Sequence, residues 1–149
     1  MMAITVSNYG LFGQSLMEGR VNFNSDELWC MLVTSSYLFN QHTHKFKSVV
    51  NGEVAGSGYI PGGMKVNFAP PAYDSTTKTN KLVASNVVWP VVTWTGVVGA
   101  VLYVKPIGVT ADGSMPLVSY ISFGQTVNRT AQAFYLNMPT AGVFRLVNS

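Results

Sequence analysis

From Val21 onward, apolar and polar residues mostly alternate with a period of two, which is the pattern of half-buried β-strands. Met64, Val66 and Phe68 show it clearly, because polar or small residues stand between them. Glu27–Thr34 is instead a nearly continuous apolar run, which is typical of a central strand. The pattern therefore predicts a β-rich chain with at least one fully buried strand.

Turn-forming segments separate the predicted strands. They are the glycine cluster at 56–63, the Pro70-Pro71 pair, the polar loop at 74–80 and the Asp112-Gly113 pair. Further strands are predicted at 44–49, 81–89, 91–95, 97–105, 117–123, 126–136 and 142–147. Short strands with a turn about every ten residues predict an all-β fold. We expect residues 1–149 to form a single-domain antiparallel β-sandwich or jelly-roll-like fold.

Residues 1–20 are the one segment with a helical pattern. Leu11, Phe12 and Leu16 fall on roughly one side of a helix, and Gly19 is a suitable residue to end it. So short a helix needs tertiary support. The segment is predicted to be either a short helix packed on the domain, within residues 3–19, or an arm that reaches a neighbour.

The chain carries unusually few charges. Charged residues make up 10% of it, against about 25% in ordinary domains. A folded monomer of 16.1 kDa exposes about 7,400 Å². Its nine basic and six acidic residues would then stand at about one per 500 Å² of surface. So thin a charged coating indicates that partners cover part of the surface.

The net charge of +3 is spread over the chain rather than clustered. Binding to nucleic acid needs a concentrated basic stripe, so it is not predicted. Residues 82–104 carry no charge, but Pro90, Gly96 and Gly99 interrupt the run, and its Val and Trp residues favour strands. A membrane partner is therefore not predicted either. Residues 1–5 lack the pattern of a secretory signal.

Few residues could support catalysis. His42 and His44 could share one metal ion if they lay on a strand, but no third ligand follows at a recognisable spacing. Asp26 and Glu27 would point to opposite faces of a strand, so they do not form a carboxylate pair. Cys30 lies in an apolar run, which favours a buried thiol. We therefore predict no enzyme activity, no catalytic residue, no metal and no cofactor.

Four segments, taken together, carry a family resemblance. They are Tyr9-Gly10-Leu11-Phe12 with Gly19, Ser25-Asp26-Glu27-Leu28 leading to residues 32–37 and the loop to His44, residues 53–59 with Gly62-Gly63, and Val88-Trp89 followed by the valine-rich strand to Tyr103-Val104. The chain resembles small virion structural proteins of tailed bacteriophages and prophages, most closely capsid decoration (cement) proteins. The resemblance implies a β-sandwich or jelly-roll with a structural role.

The same resemblance implies the partners and the location. The protein would bind outside the major capsid protein lattice, stabilise the shell, and form dimers or trimers with itself. It would be made in the bacterial host cytoplasm and reside on the capsid surface of the virion. Aromatic residues usually anchor such interfaces, and the candidate interface residues are Tyr9, Phe12, Tyr37 and Phe39. Tyr59 is expected to pack the glycine cluster.

An alternative role is a tail- or fibre-associated protein that binds a host surface glycan. Trp29, Trp89, Trp94 and an exposed Tyr37 could stack on sugar rings, whereas the competing interpretation places the tryptophans in the core.

Overall fold

The structure, a computed structural model, describes residues 4–147. It is an all-β sandwich of two antiparallel sheets with one short helix near the N-terminus, as predicted. The larger sheet has the strand order β1-β7-β6-β2-β3, and the smaller has the order β4-β5-β8. The elements are β1 Thr5–Asn8, α1 Leu11–Met17, β2 Glu27–Thr34, β3 Met64–Val66, β4 Ala72–Asp74, β5 Thr79–Leu82, β6 Val87–Lys105, β7 Leu117–Leu136 and β8 Phe144–Val147.

Strands β6 and β7 are much longer than predicted and form one hairpin that runs the length of the larger sheet. The prediction of breaks near Pro90 and Gly96 is wrong. Pro90 lies where the register shifts between Trp89 and Val92, and a strand tolerates proline at such a bulge because no ladder hydrogen bond is lost. On β7 the two predicted strands join through Gly124, whose φ is 68°.

Strand β2 is covered on both faces, which explains its continuous apolar run. Leu28, Cys30 and Leu32 face the main core between the sheets. Met31 and Val33 face a second cluster on the opposite side, which also contains Tyr9, Tyr37 and Leu117. Burial raises the pKa of the Cys30 thiol, so this cysteine is an inert core residue, as predicted.

The N-terminal segment is packed against the sandwich. Thr5–Asn8 pairs with β7 as an edge strand, where a helix was predicted. The helix itself is limited to Leu11–Met17, and it ends before Gly19, whose φ is 73°. Residues 1–3 of the predicted segment lie outside the described residues. No helix within residues 4–147 is long and apolar enough to cross a membrane.

The strand predicted at 44–49 is absent. Lys47–Val49 forms a 3₁₀ turn, and Phe46 makes an isolated bridge to Pro116. The Lys47 N–H donates a hydrogen bond to the Met115 carbonyl. Residues 44–49 therefore pack against the connection between β6 and β7 and do not add a strand to either sheet. Asp112 and Gly113, predicted to turn, do so within a 3₁₀ turn at Asp112–Ser114.

The glycine cluster at 56–63 is fastened to the larger sheet. A Cβ at Gly63 would lie 1.8 Å from the Cys30 carbonyl oxygen, so only glycine allows this approach. Tyr59 is buried, donates a hydrogen bond to Glu53 (2.5 Å) and accepts one from the Leu32 N–H (3.0 Å). The expectation that Tyr59 packs this turn is confirmed.

The substitution Tyr59→Phe tests this fastening. It keeps the ring but removes the partner of the buried Leu32 N–H, and we expect the free energy of unfolding to fall by about 2 kcal/mol. Urea titration measures the change. Tyr135→Phe, on an exposed tyrosine, is the matched control and should change it by less than about 0.5 kcal/mol. Equal stability of the Tyr59 variant and the parent would contradict the role given to this hydroxyl.

Candidate interaction surface

The structure places the predicted interface residues inside the chain rather than on its surface. Tyr9, Phe12 and Tyr37 have relative exposures of 1%, 0% and 4%, and Phe39 is half-buried. The expectation of an exposed Tyr37 is therefore wrong. Three of the four come together in the second cluster, whereas Phe12 lies in the main core. Hydrophobic alternation does not show that a loop covers a sheet, so it does not reveal that an aromatic residue in such a loop is buried.

A chain of hydrogen bonds runs through this second cluster. The Tyr9 and Tyr37 hydroxyls are 2.7 Å apart, and the Tyr37 hydroxyl is 2.8 Å from His44 Nδ1. Phe39 stacks on Tyr120 with ring centroids 5.0 Å apart. These contacts hold the loop of residues 35–46 on the sheet. No feature of the sequence indicates the contact made by Tyr120, because this residue stands in an ordinary alternating strand.

Burial sets the ionisation of these groups. It raises the pKa of Tyr9, with the hydrogen bond to Tyr37 adding to the effect, and raises the pKa of Tyr37 to about 12. It lowers the pKa of His44. Both tyrosines therefore stay neutral at physiological pH, and Nδ1 of a neutral His44 can accept a hydrogen bond from the Tyr37 hydroxyl.

The strand geometry assumed for a histidine metal site is wrong. His42 lies in a turn and His44 in the irregular segment directly after it, and the Nδ1 of His44 is already engaged by Tyr37. Within residues 4–147, no three His, Cys, Asp or Glu side chains lie close enough together to hold a metal ion.

The strongest candidate surface is the outward side of the β6–β7 hairpin, in its half farthest from the connecting turn. We call it the uncharged face. Val88 and Tyr135 are directly paired across the two strands, and Val91 lies next to them on β6. These three side chains are 40%, 62% and 62% exposed, respectively. The rest of the face is uncharged and exposed: Pro90, Thr93, Thr95, Asn128 and Thr130.

Strand alternation explains this face. The inward side chains of the same strand segments, Trp89, Trp94 and Phe134, are buried in the main core. The bulge at Pro90 then places two consecutive side chains, Pro90 and Val91, on the outside. The charge-free run at 82–104 was the sequence signal for this surface, but the sequence alone does not show which of its residues face out.

One cation lies on this half of the hairpin, and it is turned away. Arg129 Nε donates to the Ala133 carbonyl (3.2 Å) and Nη1 donates to the Asn128 carbonyl (2.9 Å). The guanidinium also lies 5.4 Å from the centroid of the Phe134 ring. The Arg129 guanidinium therefore contacts the protein's own backbone and core, and the outward face stays uncharged.

The second cluster predicts a pH effect on stability. Because the pKa of His44 is lowered in the folded chain from its ordinary 6.5, the unfolded chain binds the proton more readily. We expect stability to be constant above pH 7 and to fall as the pH drops below 6.5. Thermal unfolding between pH 7.5 and 5 measures this slope. It should be reduced in His44→Gln and retained in His42→Gln; an unchanged slope in His44→Gln would contradict the assignment.

Comparison with protein-family models, with curated proteins and with solved structures finds no match to this chain. No relative therefore supplies a function or a set of residues. The physical character of the uncharged face is what indicates a role.

Proposed function

We propose that this chain is a structural protein of a bacteriophage virion, which decorates the capsid by binding outside the major capsid protein lattice and stabilising the shell. The single observation that carries the proposal is the uncharged face. The sequence resemblance to capsid decoration proteins names the partner, and the face supplies a surface suited to binding it.

The chemistry of the uncharged face supports a protein partner. The centre of a protein–protein interface is poor in charged groups and rich in aromatic and apolar ones. Val88, Val91 and Tyr135 meet this description, with threonine and asparagine around them to form hydrogen bonds. Burying such a surface removes no ion from water, so little desolvation cost opposes binding.

The rigidity of the face also supports this role. Its side chains project from two paired strands whose other side is held by buried aromatic rings, such as Trp89 against Phe134 with centroids 5.9 Å apart. A pre-ordered face loses little conformational entropy on binding. If copies associate as the proposed dimer or trimer, several such faces would act together, so modest single contacts would give firm attachment.

The residues that suggested the glycan-binding alternative are not exposed for stacking on sugar rings. Trp89, Trp94 and Tyr37 are buried. Trp29 is half-buried, with the Lys105 ammonium 4.9 Å from its ring centroid. We therefore retain the capsid role as the proposal.

The test combines solution mass with capsid binding. Light scattering should show a defined dimer or trimer. When added to capsids that lack it, the protein should co-sediment with them and raise the temperature at which they disrupt. A stable monomer that leaves capsids unaffected would contradict the proposal and favour the tail or fibre role.

Single substitutions then locate the contact. Val91→Lys puts an ammonium in the uncharged face, and we expect capsid affinity to fall at least about tenfold, because an unpaired charge would be buried in the complex. Ile107→Lys, on a residue 76% exposed outside this face, is the matched control and should bind normally. Equal binding of the two variants would exclude this face as the capsid contact.

A further inference from the structure

The tip of the loop that covers the second cluster, residues 38–44, is held on the larger sheet mainly by side chains. The tip is folded on itself, because the Asn40 side chain accepts hydrogen bonds from two backbone N–H groups within it. Among residues 4–147, one backbone hydrogen bond joins the tip to the rest of the chain, from the Gly10 N–H to the Gln41 carbonyl (3.0 Å). A segment with so few backbone bonds to its neighbours can open while the rest of a domain stays folded.

The hydrogen bonds that run from Tyr9 through Tyr37 to His44 can hold two hydrogens. The first contact joins the two hydroxyls (2.7 Å), and the second joins the Tyr37 hydroxyl to His44 Nδ1 (2.8 Å). While Nδ1 is unprotonated, the Tyr9 hydroxyl donates to Tyr37 and the Tyr37 hydroxyl donates to Nδ1. Protonation of His44 places a third hydrogen on Nδ1. Whichever way the hydroxyls turn, one tyrosine hydroxyl then loses its acceptor.

The hydroxyl that loses its acceptor is buried. The Tyr9 and Tyr37 side chains are both almost fully covered, and neither hydroxyl has another hydrogen-bond partner among the described residues. A buried donor without an acceptor is unfavourable, because it has left water without forming a new hydrogen bond. Lifting the loop from the sheet lets water reach both hydroxyls, so it removes this penalty.

The aromatic rings around His44 stay neutral in mild acid. The centroid of the Tyr37 ring lies 5.4 Å from that of His44 and 5.9 Å from that of Tyr120. Burial raises the pKa of Tyr9, Tyr37 and Tyr120, so none of these phenols ionises below neutral pH. The ring of this group that gains a proton in acid is therefore His44.

The charged side chains next to His44 in the sequence are paired with other groups. Lys45 Nζ lies 2.9 Å from Glu18 Oε1, and Lys47 Nζ lies 3.1 Å from Asp112 Oδ1. His42 is exposed, and its ring makes no hydrogen bond to the described part of the chain. Mild acid therefore acts on the buried hydrogen bonds through His44.

We infer that residues 37–44 form an acid-sensitive lid: protonation of His44 raises the population in which this loop is lifted from the larger sheet while both sheets stay folded. Lifting the lid uncovers the rings of Tyr9 and Tyr120, on each of which Phe39 packs with the ring centroids 5.0 Å apart. The protein thus gains an exposed aromatic surface in acid that it lacks at neutral pH. The lid is separate from the uncharged face, and the inference stands whether or not the capsid is the partner.

Hydrogen exchange measured by NMR at two adjacent amides tests the lid. The Gly10 N–H bonds to the Gln41 carbonyl in the lid, whereas the Tyr9 N–H bonds to the Val118 carbonyl in β7 (3.2 Å). Gly10 therefore reports opening of the lid, and Tyr9 reports unfolding of the sheet. We expect the Gly10 amide to be protected at least about tenfold less than the Tyr9 amide. Low concentrations of urea should leave Gly10 exchange unchanged, because local opening exposes little surface.

Acid should lower the protection of Gly10 further. The lifted loop binds a proton near the ordinary His44 pKa of 6.5. After correction for the intrinsic exchange rate at each pH, we expect Gly10 protection to fall at least about tenfold between pH 7.5 and 5. His44→Gln removes the titrating group and should abolish this fall, whereas His42→Gln is the matched control and should retain it. A protected Tyr9 amide shows that each variant is folded.

Three results would overturn the inference. The first is equal protection of Gly10 and Tyr9 in the parent protein, which would mean that the loop opens only when the sheet unfolds. The second is a Gly10 protection that does not change between pH 7.5 and 5. The third is an undiminished fall in His44→Gln, which would mean that acid acts through another group.

Discussion

The pairing of β6 with β7 is the constraint on which the rest of the molecule depends. Strand β1 adds to one side of this hairpin and β2 to the other, and β3 reaches the sheet only through β2. The glycine cluster is hydrogen-bonded to the edge of β6, where the Thr93 N–H donates to the Ser57 carbonyl. The hairpin's inward side chains supply much of the main core, and its outward ones form the uncharged face. A change in its register would move both sets at once.

The sequence predicted what depends on local pattern. The bounds of β2 follow from a run of apolar residues covered on both faces, and the buried state of Cys30 follows with them. Prediction from the sequence failed where a residue acts against its usual structural preference. Pro90 reads as the end of a strand, yet a bulge lets the strand continue. Residues 44–49 do alternate, but the hydrogen bond from the Lys47 N–H to the Met115 carbonyl holds this segment beside the β6–β7 connection, outside both sheets.

The interaction surface was harder to predict than the fold. Aromatic residues serve cores and interfaces equally well, so Tyr9, Phe12 and Tyr37 could not be assigned from their type alone. Their burial depends on contacts far apart in the chain, such as Tyr9 with Tyr37. What the structure does expose is the uncharged outward side of the β6–β7 hairpin, and residue type alone does not mark which of its side chains face out.

Arg129 has a consequence for how the protein behaves at high concentration. Among residues 4–147, no strand pairs with the outer edge of β7 beyond Ser122. Exposed strand edges recruit other strands and lead to aggregates. Here the guanidinium lies against the Asn128 and Ala133 carbonyls, and Gly124 and Ala131 have positive φ angles of 68° and 49° that distort the strand. The long hairpin can therefore carry an uncharged outward side while its distorted β7 edge is a poor template for pairing with a further strand.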